Sequence, residues 1–309
     1  MSDVQKEMKK FVGRHAEKQW DWNAFSRTDG YAELRRAQMR YVGAGGSPKV
    51  DDPDTIKPEH FTLSFLELPQ GNYGAMHTHA DCEETFHGIQ GYTSVGWAFD
   101  DEAVVAKVGP KDLLWQPIGR PHAYKNVMSE PVMLSIMVGS GKPLPPVIHT
   151  HPDSSPYAAT FGATPDKVIE FSSRSEDPRI KEYAKHLVRY SQQKIHAHSA
   201  GFGYMKYVGG DGAAVPAVHY REDLIHLPAG KGVKTYEREV EDVYLVFEGL
   251  LTVGWEEDGK VVEQQIGPRD IIFNPPGRKH YFRNDGLDTT QFMMVTGTRT
   301  PETVKFQAA

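Results

Sequence analysis

Cysteine is nearly absent: Cys82 is the only one in 309 residues. An intramolecular disulfide is therefore excluded, and the chain is expected in a reducing compartment, read as the cytoplasm. No stretch approaches the ~20 apolar residues of a membrane-spanning helix. Residues 1–20, MSDVQKEMKKFVGRHAEKQW, are charged throughout and lack the apolar segment of a secretory signal. An excess of positive charge is missing too. Lys and Arg number 35 against 41 Asp and Glu, giving a net charge of −6, so nothing draws the chain globally to nucleic acid or anionic lipid. Helical periodicity is scarce as well. Glycine (29) and proline (21) are plentiful, which favours many short strands joined by tight turns. The length suits two domains of roughly 100–150 residues each.

The chain contains itself twice. Shifting Glu84–Asn126 by 158 positions lays it on Asp242–Asn284 without a gap, and 14 of the 43 aligned positions are identical. Among them are Gly91/Gly249, Gly96/Gly254, Trp97/Trp255, Gly109/Gly267, Asp112/Asp270, Pro117/Pro275, Gly119/Gly277, His122/His280 and Asn126/Asn284. Glycines and prolines fix backbone turns, so what repeats is a fold. Within the first copy, FTLSFLEL from Phe61, ETFHGIQG from Glu84, YTSVGWAF from Tyr92, DLLWQP from Asp112 and PVMLSIMV from Pro131 read as strands,. Regular strand–turn spacing suggests a sandwich or barrel. Residues 2–20 and 176–192 read as helical. In the second of these, Ile180, Tyr183, Ala184 and Leu187 recur at helical spacing behind the candidate caps Ser175 and Asp177. The Pro-rich stretch Lys142–Asp153 marks the end of the first barrel.

Between Gly71 and Gly91 stand His77, His79 and Glu84. Residues i and i+2 on a strand share a face, so both imidazoles point one way. Glu84 opens the next strand, from which it can face them. A third histidine, His122, follows the turn Pro117-Ile118-Gly119. Three imidazoles and one carboxylate suit divalent Fe, Mn, Ni, Co or Zn. The bland alternative is a barrel lined by histidines that hold no metal.

The pattern G-x5-H-x-H-x4-E-x6-G is met by Gly71, His77, His79, Glu84 and Gly91. The pattern P-x-G-x-x-H-x-x-x-N is met by Pro117, Gly119, His122 and Asn126. Together they resemble the two motifs of the cupin superfamily. The resemblance implies an all-β fold of tandem double-stranded β-helix (jelly-roll) barrels, with an N-terminal helix and an inter-domain helix. The expected divisions are a helical extension at 1–27, a metal-binding cupin at 28–148, a linker with a helix at 149–194 and a degenerate cupin at 195–309. The second copy has Tyr236, Arg238 and Asp242 where the first has His77, His79 and Glu84, and only His280 matches His122. A guanidinium repels a cation and can pair with Asp242 instead. The second barrel is therefore expected to hold no metal, with His280 a core histidine.

Other residues carry weaker expectations. Tyr124 and Phe86 should face the barrel interior. Arg120 could hold a substrate carboxylate, although Arg278 repeats it in the second copy, which favours a structural role. Gln116 and His87 are candidate partners of the metal ligands, with alternation placing His87 on the outward face. Trp97 and Trp255 read as packing residues, and Cys82 as a buried inert thiol. His149-Thr150-His151 is another H-x-H, read as a surface loop.

A bicupin with one metal-bearing barrel is similar in organisation to gentisate-type ring-cleaving dioxygenases, while a fourth ligand at Glu84 resembles the quercetinase or germin pattern. That resemblance implies an Fe(II)-dependent dioxygenase cleaving a small hydroxylated aromatic or β-diketone-like substrate with O2. Glu84 would act as ligand or base, and Tyr124 and Arg120 would assist. Two alternatives stay open: a non-redox metal-dependent isomerase, lyase or hydrolase of a small carbonyl or carboxylate substrate, and a non-enzymatic small-molecule-binding cupin. Partners are a small-molecule substrate, O2 in the first reading, and a second copy of the chain in a homodimer that covers jelly-roll edges. Neither nucleic acid nor membrane is expected.

Overall fold

The computed structural model describes residues 3–25, 30–45, 52, 54–100, 102–149, 167–216, 218–298, 300 and 304–309. The chain divides into two compact units, one of residues 20–192 and one of residues 1–19 with 193–309. Both are built mainly of antiparallel strands. Among the described residues no helix is long and apolar enough to cross a membrane.

In the first unit two sheets of six strands each form a jelly roll. One sheet runs, edge to edge, through Leu187–Val188, Leu113–Gln116, Glu84–Gln90, Val132–Val138, Thr62–Leu68 and Ala37–Val42. The other runs through Val147–Ile148, Tyr73–Thr78, His122–Asn126, Thr93–Phe99, Glu102–Val108 and Val168–Glu170. The five sequence-predicted strands are all present within a residue or two. Phe86, Leu114 and Ile136 meet Val95, Trp97 and Val104 in the buried core. Each such side chain, removed from water, stabilises by about 1.5–3 kcal/mol.

The second unit repeats the plan with a seven-stranded and a three-stranded sheet. The identical residues of the two copies do identical work. Asn126 Nδ2 donates to Leu68 O at 2.9 Å, and Asn284 Nδ2 to Leu227 O at 2.9 Å. The Asp112 and Asp270 carboxylates accept from the Gly109 and Gly267 amides, and Trp255 donates to Asn274 as Trp97 does to Gln116. Arg120 lies over Trp97 and Arg278 over Trp255. These contacts satisfy backbone or indole groups that burial would otherwise leave costly.

Both helices are shorter than their sequence patterns predict. The first spans Asp3–Lys10 only. Val12–Gly13 then pairs with Ile271–Ile272 as an edge strand of the second unit. The other spans Pro178–Ala184, with the Asp177 side chain capping the Arg179 amide and Pro178 in the first turn,. Ile180 and Tyr183 are buried on the first barrel, whereas Ala184 is exposed and Leu187 belongs to a strand paired with Leu113–Leu114. In both cases a neighbouring sheet edge offers hydrogen bonds that outcompete continued helix. The Pro-rich stretch after Lys142 does not simply end the barrel. Val147–Ile148 adds an edge strand against His77 and Thr78.

Candidate metal centre

His77, His79, Glu84 and His122 come together inside the first barrel, with one ligand atom from each lying within 4.8 Å of the others. His77 and His122 sit opposite each other on one sheet, paired across adjacent strands, and His79 lies just past the end of the His77 strand. Glu84 comes from the facing sheet. A register shift between Gly74 and His77 accompanies this placement; such bulges re-aim the side chains that follow them. The two motifs are tied by one backbone bond, Gly119 N to His79 O at 2.8 Å, made where Gly119 adopts φ 78°. That left-handed conformation suits glycine.

The tautomers follow from the backbone. His77 Nδ1 lies 2.8 Å from Ala75 O, and His122 Nδ1 lies 2.8 Å from Arg120 O. A carbonyl only accepts, so each Nδ1 carries the hydrogen and each neutral ring presents its Nε2 lone pair inward. Those Nε2 atoms face Glu84 Oε2 at 3.7 Å from His77 and 2.7 Å from His122, with His79 Nε2 at 3.5 Å. Lone pairs aimed at a carboxylate repel unless a proton or a cation lies between them. Both ring nitrogens of His79 are buried without a hydrogen-bond partner among the described residues. Three neutral imidazoles and one carboxylate carry one negative charge, which a divalent cation offsets. The donor set therefore fits a metal such as Mn(II) or Fe(II).

The electrostatics agree. Burial, with His122 alongside, pushes the His77 imidazole down to about 4. Burial works to raise Glu84, but His79, His122 and His77 outweigh it and hold the carboxyl well below its usual range. For His79 burial works downward, and Glu84 and Asp81 overcome it to raise the imidazole. The His77 side chain, 12% exposed, is the most accessible of the four, against 6% or less for the others. The site therefore meets solvent on the His77 side.

Tyr124 and Phe86 face the interior, as their alternation predicts. The Tyr124 ring stands edge-on to His77 at 6.5 Å between centroids, and Phe86 lies 5.6 Å from His122 and 5.3 Å from Tyr124. Gly74 permits this: a Cβ there would sit 2.3 Å from the Tyr124 ring. Gln116 pairs in register with Glu84 and accepts from Trp97. The Arg120 guanidinium rests 5.0 Å from both the Trp97 and Phe99 rings. His87 is buried. Cys82 is buried, and burial pushes its thiol up, away from thiolate,. His149 is exposed with Nε2 3.0 Å from Thr78 Oγ1, and His151 lies outside the described residues.

Sequence reasoning missed Arg36. It is 8% exposed, packs 3.9 Å from the Phe25 ring centroid, and has Nε without a partner among the described residues. Its charge acts on the Tyr124 phenol, which burial otherwise raises and Arg36 lowers. No motif marks Arg36, because only folding brings it to Tyr124.

In the second barrel Arg238 Nε donates to Asp242 Oδ2 at 2.7 Å, while the Tyr236 hydroxyl and Thr296 Oγ1 donate to the same carboxylate at 3.1 and 2.6 Å. His280 repeats the orientation of His122, with Nδ1 2.6 Å from Arg278 O and Nε2 3.5 Å from Asp242. The cation beside the carboxylate is here a side chain.

No protein-family model matches the sequence, and no curated protein does. Solved structures do. A tryptophan-to-tyrosine variant of Bacillus subtilis oxalate decarboxylase superposes with a TM-score of 0.66 at 14% identity, covering 96% of this chain and 79% of that one. The same enzyme at pH 4.6 gives 0.65 at 14% identity, covering 96% and 78%. A further structure of that enzyme, described for its Mn(II) centres, gives 0.65 at 14% identity, covering 96% and 79%. At this identity the likeness concerns architecture, and it shows that the chain has the fold of a bicupin.

Proposed function

We propose that the chain is a divalent-metal enzyme that cleaves a carbon–carbon bond in a small, oxygen-chelating acid, with its centre on His77, His79, Glu84 and His122. The observation that carries this reading is the pair of Nε2 lone pairs, on His77 and His122, held against the Glu84 carboxylate. When bound, the ion supplies Lewis-acid polarisation of substrate oxygens or, as Fe(II), electron transfer with O2. The protein does the rest. Backbone carbonyls fix the imidazole orientations, Glu84 stays ionised to ligate or to accept a proton, and Phe86 and Tyr124 wall off water. Arg36, buried with Nη1 on the Leu34 carbonyl and Nε without a partner among the described residues, supports an acidic group on the substrate,.

Two finer reactions fit this frame. The aromatic wall of Phe86 and Tyr124 favours a planar substrate and Fe(II)-dependent dioxygenase cleavage with O2. The likeness in fold to an oxalate decarboxylase with Mn(II) centres favours loss of CO2 without net O2 uptake. Gentisate-type organisation is kept only within the first. The second barrel is read as holding no metal, a homodimer as the assembly, and the single buried Cys82 as fitting a reducing cytoplasm,.

The experiment is anaerobic purification, metal quantification, and reconstitution with Fe(II) or Mn(II). O2 uptake would be followed with gentisate, catechol, hydroquinone, salicylate and β-diketones, and CO2 release with oxalate. O2 uptake confined to the Fe(II) form supports the dioxygenase, and CO2 release by the Mn(II) form supports the decarboxylase. Metal binding with no turnover in either panel sinks the enzymatic reading in favour of a binding protein.

A further inference from the structure

The second barrel has lost three of the four aligned ligand residues, yet it carries an open-mouthed cavity of about 150 Å³. An engineered cavity of about that size admits a benzene ring. The walls are built for an organic ligand. His198 stacks on Phe202 at 4.5 Å between centroids, and Phe306 stands edge-on to Phe202 at 5.8 Å. Burial lowers the His198 imidazole, which keeps that wall uncharged.

One side of the cavity is charged. Arg238 and Arg221 both line it, and so does Asp223. Arg221 grips Asp223 Oδ2 through Nε at 2.8 Å and Nη2 at 2.7 Å, and Arg238 holds Asp242 through Nε. Lys206 also acts on Asp223. Among the described residues that line the cavity, two guanidiniums therefore stand against one carboxylate, a surplus of positive charge. Asp223 Oδ1 is buried without a partner among the described residues, an acceptor that a ligand hydroxyl would satisfy.

We propose that this cavity is a second, metal-independent binding site for a small hydroxylated carboxylic acid. Its carboxylate lies toward Arg238 and Arg221, its hydroxyl toward Asp223, and its apolar part against Phe202 and Phe306. The guanidinium of Arg238, at the position aligned with His79, supplies in this barrel the fixed positive charge that a metal would supply in the first. Planar forks suit carboxylates in this way.

The test uses the full chain stripped of metal by a chelator, with salicylate as probe and benzamide as its neutral counterpart, followed by calorimetry. Salicylate is expected to bind once per chain, and benzamide at least about tenfold more weakly. Benzoate, lacking the hydroxyl, is expected to fall between them. The double variant Arg221→Gln/Asp223→Asn, which removes both members of that ion pair together, should weaken salicylate at least about tenfold while its melting temperature reports an intact fold. His79→Ala, which touches only the first barrel, should leave salicylate binding unchanged. Benzamide binding as tightly as salicylate overturns the proposal, as does absence of salicylate binding up to about 10 mM. Loss of binding in His79→Ala would also overturn it, because the probe would then occupy the first barrel. The unmodified-chain comparison decides even if the double variant fails to fold.

Discussion

His122 Nε2 stands 2.7 Å from Glu84 Oε2, a contact between residues from facing sheets whose geometry leaves room for positive charge and little else. The other ring nitrogen is committed to the Arg120 carbonyl, so the ring cannot rotate to relieve the repulsion without breaking that bond,.

From this follows the first prediction. His79→Ala and Glu84→Gln should each lower metal affinity by at least about tenfold, given the effect of removing even a supporting partner. Metal content after dialysis, measured by atomic emission, is the readout. Arg238→His in the second barrel should not by itself create a metal site, since Tyr236 remains where a histidine would be needed.

Gly74 is the second point of test. Adding a Cβ places it 2.3 Å from the Tyr124 ring, so Gly74→Ala must displace that ring from its position beside His77. The expected cost is about 1–3 kcal/mol of stability from overpacking, read by urea denaturation. Combining it with Tyr124→Leu should recover much of that loss, which identifies the clash as the cause.

Tyr183 links the short helix to the barrel, its hydroxyl donating to Val95 O at 2.7 Å and its ring standing 5.1 Å from Trp97. Tyr183→Phe keeps the packing and removes the bond, and should cost about 0.5–1.5 kcal/mol. Tryptophan emission during chemical denaturation would follow the loss. A change confined to the second unit's transition would show that the helix does not anchor there.

The Asp242 carboxyl supplies a pH signature. Burial works to raise it, but Arg238, His280 and Thr296 hold it at about 2, against an ordinary 3.8. The folded form takes up the proton only at the lower pH. Its contribution, roughly 2 kcal/mol, is thus present above about pH 4 and lost as pH falls toward 2. Asp242→Asn removes the carboxylate to which Arg238 Nε donates, at a cost of about 3–5 kcal/mol near pH 7,. The gap between parent and variant in urea should narrow on acidification from pH 4 to 2.5. An unchanged gap would remove Asp242 as its source.

Much of this molecule was legible in its residue order, because turns and ligands leave local marks. The repeat followed from glycines, prolines and Asn126/Asn284, whose backbone roles proved identical in the two copies. The ligand set followed from the spacing of His77, His79, Glu84 and His122, which converge as that spacing implied. The helix lengths did not follow. Val12–Gly13 and Leu187–Val188 are taken up by sheet edges that lie far along the chain, and a competing long-range hydrogen bond has no local signature. Nor did the approach of Arg36 to Tyr124, or the cavity walled by His198, Phe202 and Phe306. Sequence alone determined which groups could hold a cation and which copy had lost them. Only the tertiary structure decided that Glu84 reaches the histidines from the opposite sheet, and that Arg238 fills the place of a ligand with a charge of its own. Both depend on the packing of two sheets face to face, which no local pattern along the chain records.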